Sequence, residues 1–311
     1  MIDRPGVYAD IPAAQYHADD LCPEPSLSCS VAELLLSRSP AHAKAAHPRL
    51  RSEGPEEDDG KFAMGSAVHE LLLGDERIRE LEFKDYKTQA ARNARADAIA
   101  NGMTPLLTHQ LDEAVKIADR VRKQIDAHPE LRGALAYPTE QTVIWREDGF
   151  WCRCRPDVTL PGYLRDLKLT GTAATPEGWA SRHAFAMGYD FRAAWYLRGW
   201  EKATGEAARY QFIVIEDEEP YALAWFEAPE SVLDAARRKV DAALAIWSRC
   251  LKLGIWPAYT TQLQWLEEPK WMEFQTEATL YRAMAFTGQQ LDALEGPVDP
   301  PYVMQPEHFG V

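Results

Sequence analysis

Three carboxylates and a lysine stand close together between Glu140 and Thr170: Glu140, Asp157, Asp166 and Lys168. Carboxylates that face one another at the spacing of paired strands, roughly 4.5–5.5 Å between Cβ atoms, repel unless a cation is shared. A hard divalent ion, Mg²⁺ with Mn²⁺ able to substitute, takes a few such oxygens together with water and substrate phosphate. Holding a divalent cation that can also take water and a phosphate oxygen is the chemistry that suits this set. The plain alternative is a polar sheet face neutralised by Arg153, Arg155 and Lys168.

The elements that would position these groups follow from turn chemistry. Asp148-Gly149 and Pro161-Gly162 separate three runs rich in β-branched and aromatic residues, which predicts a three-stranded antiparallel meander. A hairpin centred on Asp148-Gly149 sets Glu140 opposite Asp157, and one centred on Pro161-Gly162 sets Asp157 opposite Asp166. Alternation puts Asp166, Lys168, Thr170, Arg153, Arg155 and Thr142 on one face, the chemical one. Val143, Trp145, Phe150, Cys152, Cys154, Leu167 and Leu169 share the other, expected to be core.

Around the meander, Ser30-Val31-Ala32-Glu33 reads as a capping box. Helical spacing over Lys61–Leu73 gives an apolar stripe of Phe62, Val68, Leu71 and Leu72, with Gly65 and His69 one turn apart beside it. The glycine would permit close backbone approach. Lys84, Lys87, Arg92 and Arg95 form a basic edge over 84–100 that could follow a phosphate backbone or simply face solvent. Leu111, Val115, Ala118, Val121 and Ile125 mark a helix ended by His128-Pro129. Further helices are expected over 176–187, 190–200 and 230–253, and strands over 210–215 and 221–226.

At 311 residues with 46% hydrophobic content, the chain can hold one α/β domain with a large core. It has no apolar run of roughly eighteen residues and no signal-peptide pattern, so we expect a cytoplasmic protein that does not enter a membrane. Its five cysteines fit no zinc spacing and are expected as buried thiols. The net charge of −14 argues against non-specific coating of DNA but leaves a confined basic channel open. Much of the acid lies in the runs at 53–59 and 216–219.

Arg155-Pro156-Asp157, eight intervening residues and Asp166-Leu167-Lys168 together resemble the PD-(D/E)xK nuclease signature. Gly65-Ser66-Ala67-Val68-His69 is similar to the G-x-x-x-H helix of its RecB-like and RecE-like branch. Arg192-Ala193-Ala194-Trp195-Tyr196 stands where that branch carries Q-x-x-x-Y, with Arg192 replacing the glutamine. Ser28-Cys29-Ser30, Ser39-Pro40 and Trp256-Pro257-Ala258-Tyr259 extend the resemblance to RecE-type, exonuclease VIII-like phage nucleases over roughly residues 5 to 260.

The resemblance implies a PD-(D/E)xK core: a central mixed sheet, meander plus further strands, flanked by helices. One nuclease domain would span 1–277, with a helical elaboration at 1–60 and the core at about 61–260, followed by a tail at 278–311. His69, Asp157, Asp166 and the Leu167 carbonyl would hold Mg²⁺, with Glu140 as a further ligand; Lys168 and Tyr196 would serve catalysis. Arg192, Arg153, Arg155, Arg92 and Arg95 would contact DNA. No iron–sulfur cluster is expected, because Cys250 is the sole cysteine after position 154. The implied activity is 5′ to 3′ digestion of double-stranded DNA ends by a ring-shaped homo-oligomer, a tetramer by resemblance, with a single-strand annealing partner. A catalytically impaired DNA-binding or assembly module of the same fold, and an endonuclease of the same superfamily, are the alternatives.

Overall fold

The computed structural model describes residues 1–52, 63–74, 77–267, 269, 271–272 and 274–282. The acidic run at 53–59, Lys61, Phe62 and the proline-rich tail lie outside them. The elements in chain order are β1 (Gly6–Tyr8), α1 (Ala13–Ala18), β2 (Ser26–Ser28), α2 (Cys29–Ser37), α3 (Pro40–Ala46), α4 (Ala63–Leu73), β3 (Ile78–Leu81), α5 (Gln89–Ala100), β4 (Thr104–Leu107), α6 (Thr108–Ala127), β5 (Thr142–Glu147), β6 (Phe150–Cys154), β7 (Val158–Leu160), β8 (Tyr163–Thr170), α7 (Ala184–Ala186), α8 (Tyr189–Thr204), β9 (Arg209–Glu216), β10 (Leu223–Glu227) and α9 (Glu230–Leu253). A π-helical stretch, Pro176–His183, leads into α7. The chain divides into two compact units, Met1–Tyr259 and Thr260–Val311. All strands described here lie in the first, and Thr260–Val311 is helical at 271–272 and 274–282.

Both hairpins take the anticipated register: Val143 pairs with Cys154 across Asp148-Gly149, and Val158 pairs with Arg165 across Pro161-Gly162. They do not form one meander. The strand expected through 150–160 breaks at Arg155-Pro156-Asp157, where a proline without an N–H cannot continue the ladder. Its first half stays in a sheet ordered β1-β5-β6-β2, and its second half enters another, ordered β10-β9-β8-β7. The single central sheet therefore becomes two mixed sheets, joined by the isolated bridge Thr139–Val158. A third, two-stranded sheet pairs β3 with β4 in parallel.

The division of faces also differs from the expectation of one chemical side and one core side. Leu164, Phe212 and Val214 join a core with α2, α8 and α9, while Leu167, Ile213 and Ile215 join another with α4 and α6. Both faces of the second sheet are covered, as a parallel pair such as β8–β9 demands. Asp166 is thus buried on the α8 side. That helix reaches the first sheet through Gly199, where an added Cβ would stand 2.5 Å from the Trp145 ring.

Local signals account for most elements, with shifts at their ends. Ser28, rather than Ser30, caps α2 by accepting the Val31 N–H, and Glu33 is freed from the expected capping box. Thr88 caps α5, so Lys84 and Lys87 precede that helix instead of lying on it. No helix among the described residues is long and apolar enough to cross a membrane.

Candidate metal and nucleic-acid site

Helix α4 buries Ala67, Val68 and Leu72 against α6 and thereby turns His69 into a cleft of about 690 Å³. Gly65 lines the same cleft, but a Cβ there would meet nothing within 4 Å, so close backbone approach is not its role in this structure. Asp157 enters from the break between the two sheets. Past the end of β7 its Oδ2 accepts the Leu167 N–H at 2.6 Å, replacing the ladder partner that β8 lacks there.

Glu140 is carried just before β5 in a left-handed conformation, φ 53°, with its N–H donating to the Asp157 carbonyl at 3.1 Å. Such a φ costs a non-glycine residue roughly 1–3 kcal/mol and persists where the surroundings over-determine it. Here Arg155 binds the Glu140 carboxylate and the Ile11 carbonyl at once. One ligand atom each from His69, Glu140 and Asp157 lie within 4.8 Å of one another. His69 Nε2 stands 3.1 Å from Asp157 Oδ2 and 3.5 Å from Glu140 Oε1.

Asp166 is set apart from this triad. It is fully buried, Lys168 Nζ lies 2.5 Å from its Oδ2, and its Oδ1 has no hydrogen-bond partner. The same ammonium donates to the Leu167 carbonyl at 3.2 Å. Lys168 thus occupies the position between two oxygens that a bound cation would use. An anionic oxygen buried without a partner, beside a triad of hard and borderline donors, fits a divalent metal.

The titration shifts follow from this geometry. Burial alone would lower the His69 pKa, but Asp157 and Glu140 outweigh it and hold it at about 9. Burial works to raise Asp157, yet His69 and Lys168 keep its carboxyl well below the usual range. Burial raises Asp166 against the pull of Lys168, and burial with Asp157 raises Glu140. In the absence of metal, Asp157 and Glu140 thus favour the protonated form of the His69 imidazole.

Arg192 lines the cleft, its guanidinium carbon 5.9 Å from the ring centroids of both Tyr189 and Tyr196. Among the described residues its guanidinium has no hydrogen-bond acceptor and forms no ion pair, while its backbone N–H donates to the Gly188 carbonyl at 3.0 Å, so the fork of side-chain donors is unspent. Three expectations need correction. Arg153 does not line the cleft; it is 3% exposed and bound to Asp19 at 2.8 Å, because α1 and the turn after it cover its side of the first sheet. Tyr196 does not line the cleft: it packs in the core beneath Arg192, edge-on to Tyr210. Arg92 and Arg95 lie on α5 against the small β3–β4 sheet and are absent from the cleft lining.

Sequence reasoning also missed cleft residues. Glu33, His17 and Tyr189 all line it. Glu33 was hidden by an apparent capping role, His17 lies on a six-residue helix without a motif, and Tyr189 precedes the Arg192 pattern by one turn.

A family model described as a PDDEXK-like domain of unknown function (DUF3799) matches residues 28–269. Among solved structures, the chain is similar to a putative exonuclease from Eubacterium rectale, at 13% identity and a TM-score of 0.57, over 84% of this chain and 96% of that one. A phage related exonuclease from Haemophilus somnus matches at 13% identity and a TM-score of 0.27, over 61% of this chain and 95% of that one. An alkaline exonuclease from Laribacter hongkongensis matches at 14% identity and a TM-score of 0.26, over 61% and 90% of the two chains. No curated protein matches the sequence.

Proposed function

Because the chain belongs to the PDDEXK-like family DUF3799, we propose that it is a Mg²⁺-dependent exodeoxyribonuclease that degrades linear double-stranded DNA, with 5′ to 3′ polarity. The observation that carries this reading is the triad of His69, Glu140 and Asp157, with ligand atoms within 4.8 Å, beside Lys168 in a cleft of about 690 Å³. A divalent cation held by these three, with Asp166 and the Leu167 carbonyl alongside, supplies acidification of water and neutralisation of phosphate charge.

The chain's own groups do the rest. Lys168 directs its ammonium at the attacking water or the scissile phosphate. Arg192 donates its free N–H groups to a neighbouring phosphate, where a glutamine could offer fewer. Arg155 fixes the Glu140 carboxylate and so keeps one wall of the triad in place. An oligomeric assembly and a single-strand annealing partner complete the proposal, both on the strength of the resemblance.

The second reading is a DNA-binding or assembly module of this fold without hydrolysis, and Arg192 in place of the family glutamine is what favours it. Incubation of a linear duplex with Mg²⁺ beside closed circular DNA separates the readings. An exonuclease digests the linear form alone, an endonuclease also nicks the circle, and a module leaves both intact. End-labelled strands then report polarity.

A further inference from the structure

Lys168 touches an oxygen of Asp166, the Leu167 carbonyl and an aromatic ring, and the two oxygens are ones that the metal reading assigns to the cation. Its ammonium is 2.5 Å from Asp166 Oδ2 and 3.2 Å from the Leu167 carbonyl. The ring is that of Tyr189, whose centroid is 5.3 Å away. A cation bound between Asp166 Oδ2 and the Leu167 carbonyl would occupy the position the ammonium now holds, and the repulsion between two positive charges so close would push the ammonium aside. The π face of a tyrosine attracts an ammonium, whereas Mg²⁺ and Mn²⁺ prefer oxygen and nitrogen donors, so the ring is a contact that the metal does not contest.

The ring is also built to stay in place. Tyr189 opens α8, stacks on Trp179 at 5.7 Å between centroids, lies 5.9 Å from Phe212 and has His183 at its edge. Arg192 shares the ring at 5.9 Å, which keeps the region cationic toward an incoming phosphate.

We propose that Tyr189 is a positioning residue: its ring retains the Lys168 ammonium at the cleft while a divalent cation takes over the oxygens of Asp166 and Leu167. The inference rests on the metal-dependent reading above and adds a residue outside the PD-(D/E)xK pattern. It makes the lysine a resident counter-ion of the metal-free site, displaced sideways onto an aromatic face rather than released to solvent.

The test is a double-mutant cycle read by Mn²⁺ affinity in the full chain, from the electron paramagnetic resonance of free Mn²⁺. Lys168→Met removes the competing ammonium and is expected to tighten Mn²⁺ binding. Tyr189→Leu leaves the evicted ammonium without a seat and should weaken it roughly three- to tenfold, within the range of a cation–π contact. Tyr189→Phe should match the unsubstituted chain. In the Lys168→Met background, Tyr189→Leu should have no effect. Should Tyr189→Leu fail to fold, 4-cyanophenylalanine at position 189 keeps the ring's shape, drains its π face and should show the same weakening. Equal weakening with and without Lys168, no change on Lys168→Met, or no Mn²⁺ binding at all would each overturn the proposal. Hydrolysis enters nowhere in this readout, so an inactive chain that shows the expected cycle sinks the nuclease reading and leaves the role of Tyr189 standing.

Discussion

The molecule holds two polar clusters of nearly the same composition, and they serve opposite ends. Around Asp19, the carboxylate accepts the Ser26 N–H at 2.9 Å and Arg153 Nη1 at 2.8 Å, and Arg153 also donates to Ser26 Oγ. His47 completes it: its Nδ1 accepts the Arg49 N–H at 3.2 Å, so its Nε2 carries the proton donated to the Ser26 carbonyl at 3.1 Å. Asp19, Ser26, His47 and Arg153 are all buried and bonded to one another, with Arg153 Nε left without a partner but shut away from any cleft. Around Asp157 the same residue types open onto a cleft, with Asp166 Oδ1 and the Arg192 guanidinium unspent. Composition does not tell a structural ion cluster from a reactive one. Unused hydrogen-bonding capacity together with access does.

The largest expected effect that would break this contrast is at Asp166. Asp166→Asn should lower the rate of linear-duplex digestion by a thousandfold or more, since a metal centre supplies several kcal/mol to the transition state and each factor of ten is about 1.4 kcal/mol. Its metal-free melting temperature should hold or rise, because burial disfavours the charged form. Digestion at the normal rate would remove Asp166 from the site.

Asp19→Ala should do the reverse. It strands the Arg153 guanidinium in a buried pocket, at a cost of roughly 3–5 kcal/mol of stability, while the folded fraction keeps its activity. A denaturant titration paired with specific activity checks this, and a small stability loss would mean that the cluster is dispensable.

The two histidines should respond to pH with opposite signs. His69 is raised to about 9 in the metal-free protein, so its stabilising contribution is full below pH 6.5 and is lost as pH climbs through 9. His47 is lowered to about 4 by burial, so the fold loses stability as pH falls from 6.5 through 4. Metal-free melting curves should lose their alkaline slope in His69→Ala and their acid slope in His47→Gln. Mn²⁺ affinity should also rise with pH toward 9, because the metal must displace the His69 proton. A pH-independent affinity would take His69 out of the ligand set.

The smallest effect sharpens the reading of Arg192. Each phosphate neutralised adds about 0.9 to the salt slope of duplex binding, so Arg192→Gln should flatten the slope by roughly one unit and leave hydrolysis measurable. Binding of a hairpin duplex in Ca²⁺ at several salt concentrations reads it. An unchanged slope would mean that the guanidinium stays between its two tyrosines when DNA is bound.

Much of this was legible in the sequence because it depends on neighbours along the chain. Asp148-Gly149 and Pro161-Gly162 determined two hairpin registers, since a two-residue turn leaves one pairing that keeps the pleat in phase. The apolar stripe of 230–253 determined α9 to its observed ends, and the motif spacing pointed to the PD-(D/E)xK fold that the family match bears out. These are consequences of local dihedral preference and of period 3.6 or 2.0.

Tertiary structure decided what long-range pairing alone can decide. The run through Pro156 reads in sequence as one strand, and only the fold shows its two halves entering different sheets, with Asp157 at the break between them and Asp166 outside the triad. Arg153 and Arg155 share one face in sequence, yet Arg153 meets Asp19, 134 residues away, while Arg155 meets Glu140. Alternation says which way a side chain points. It does not say which distant carboxylate waits there, because that partner is brought by β1, α1 and β2, whose short polar sequences carry no periodic signal of their own.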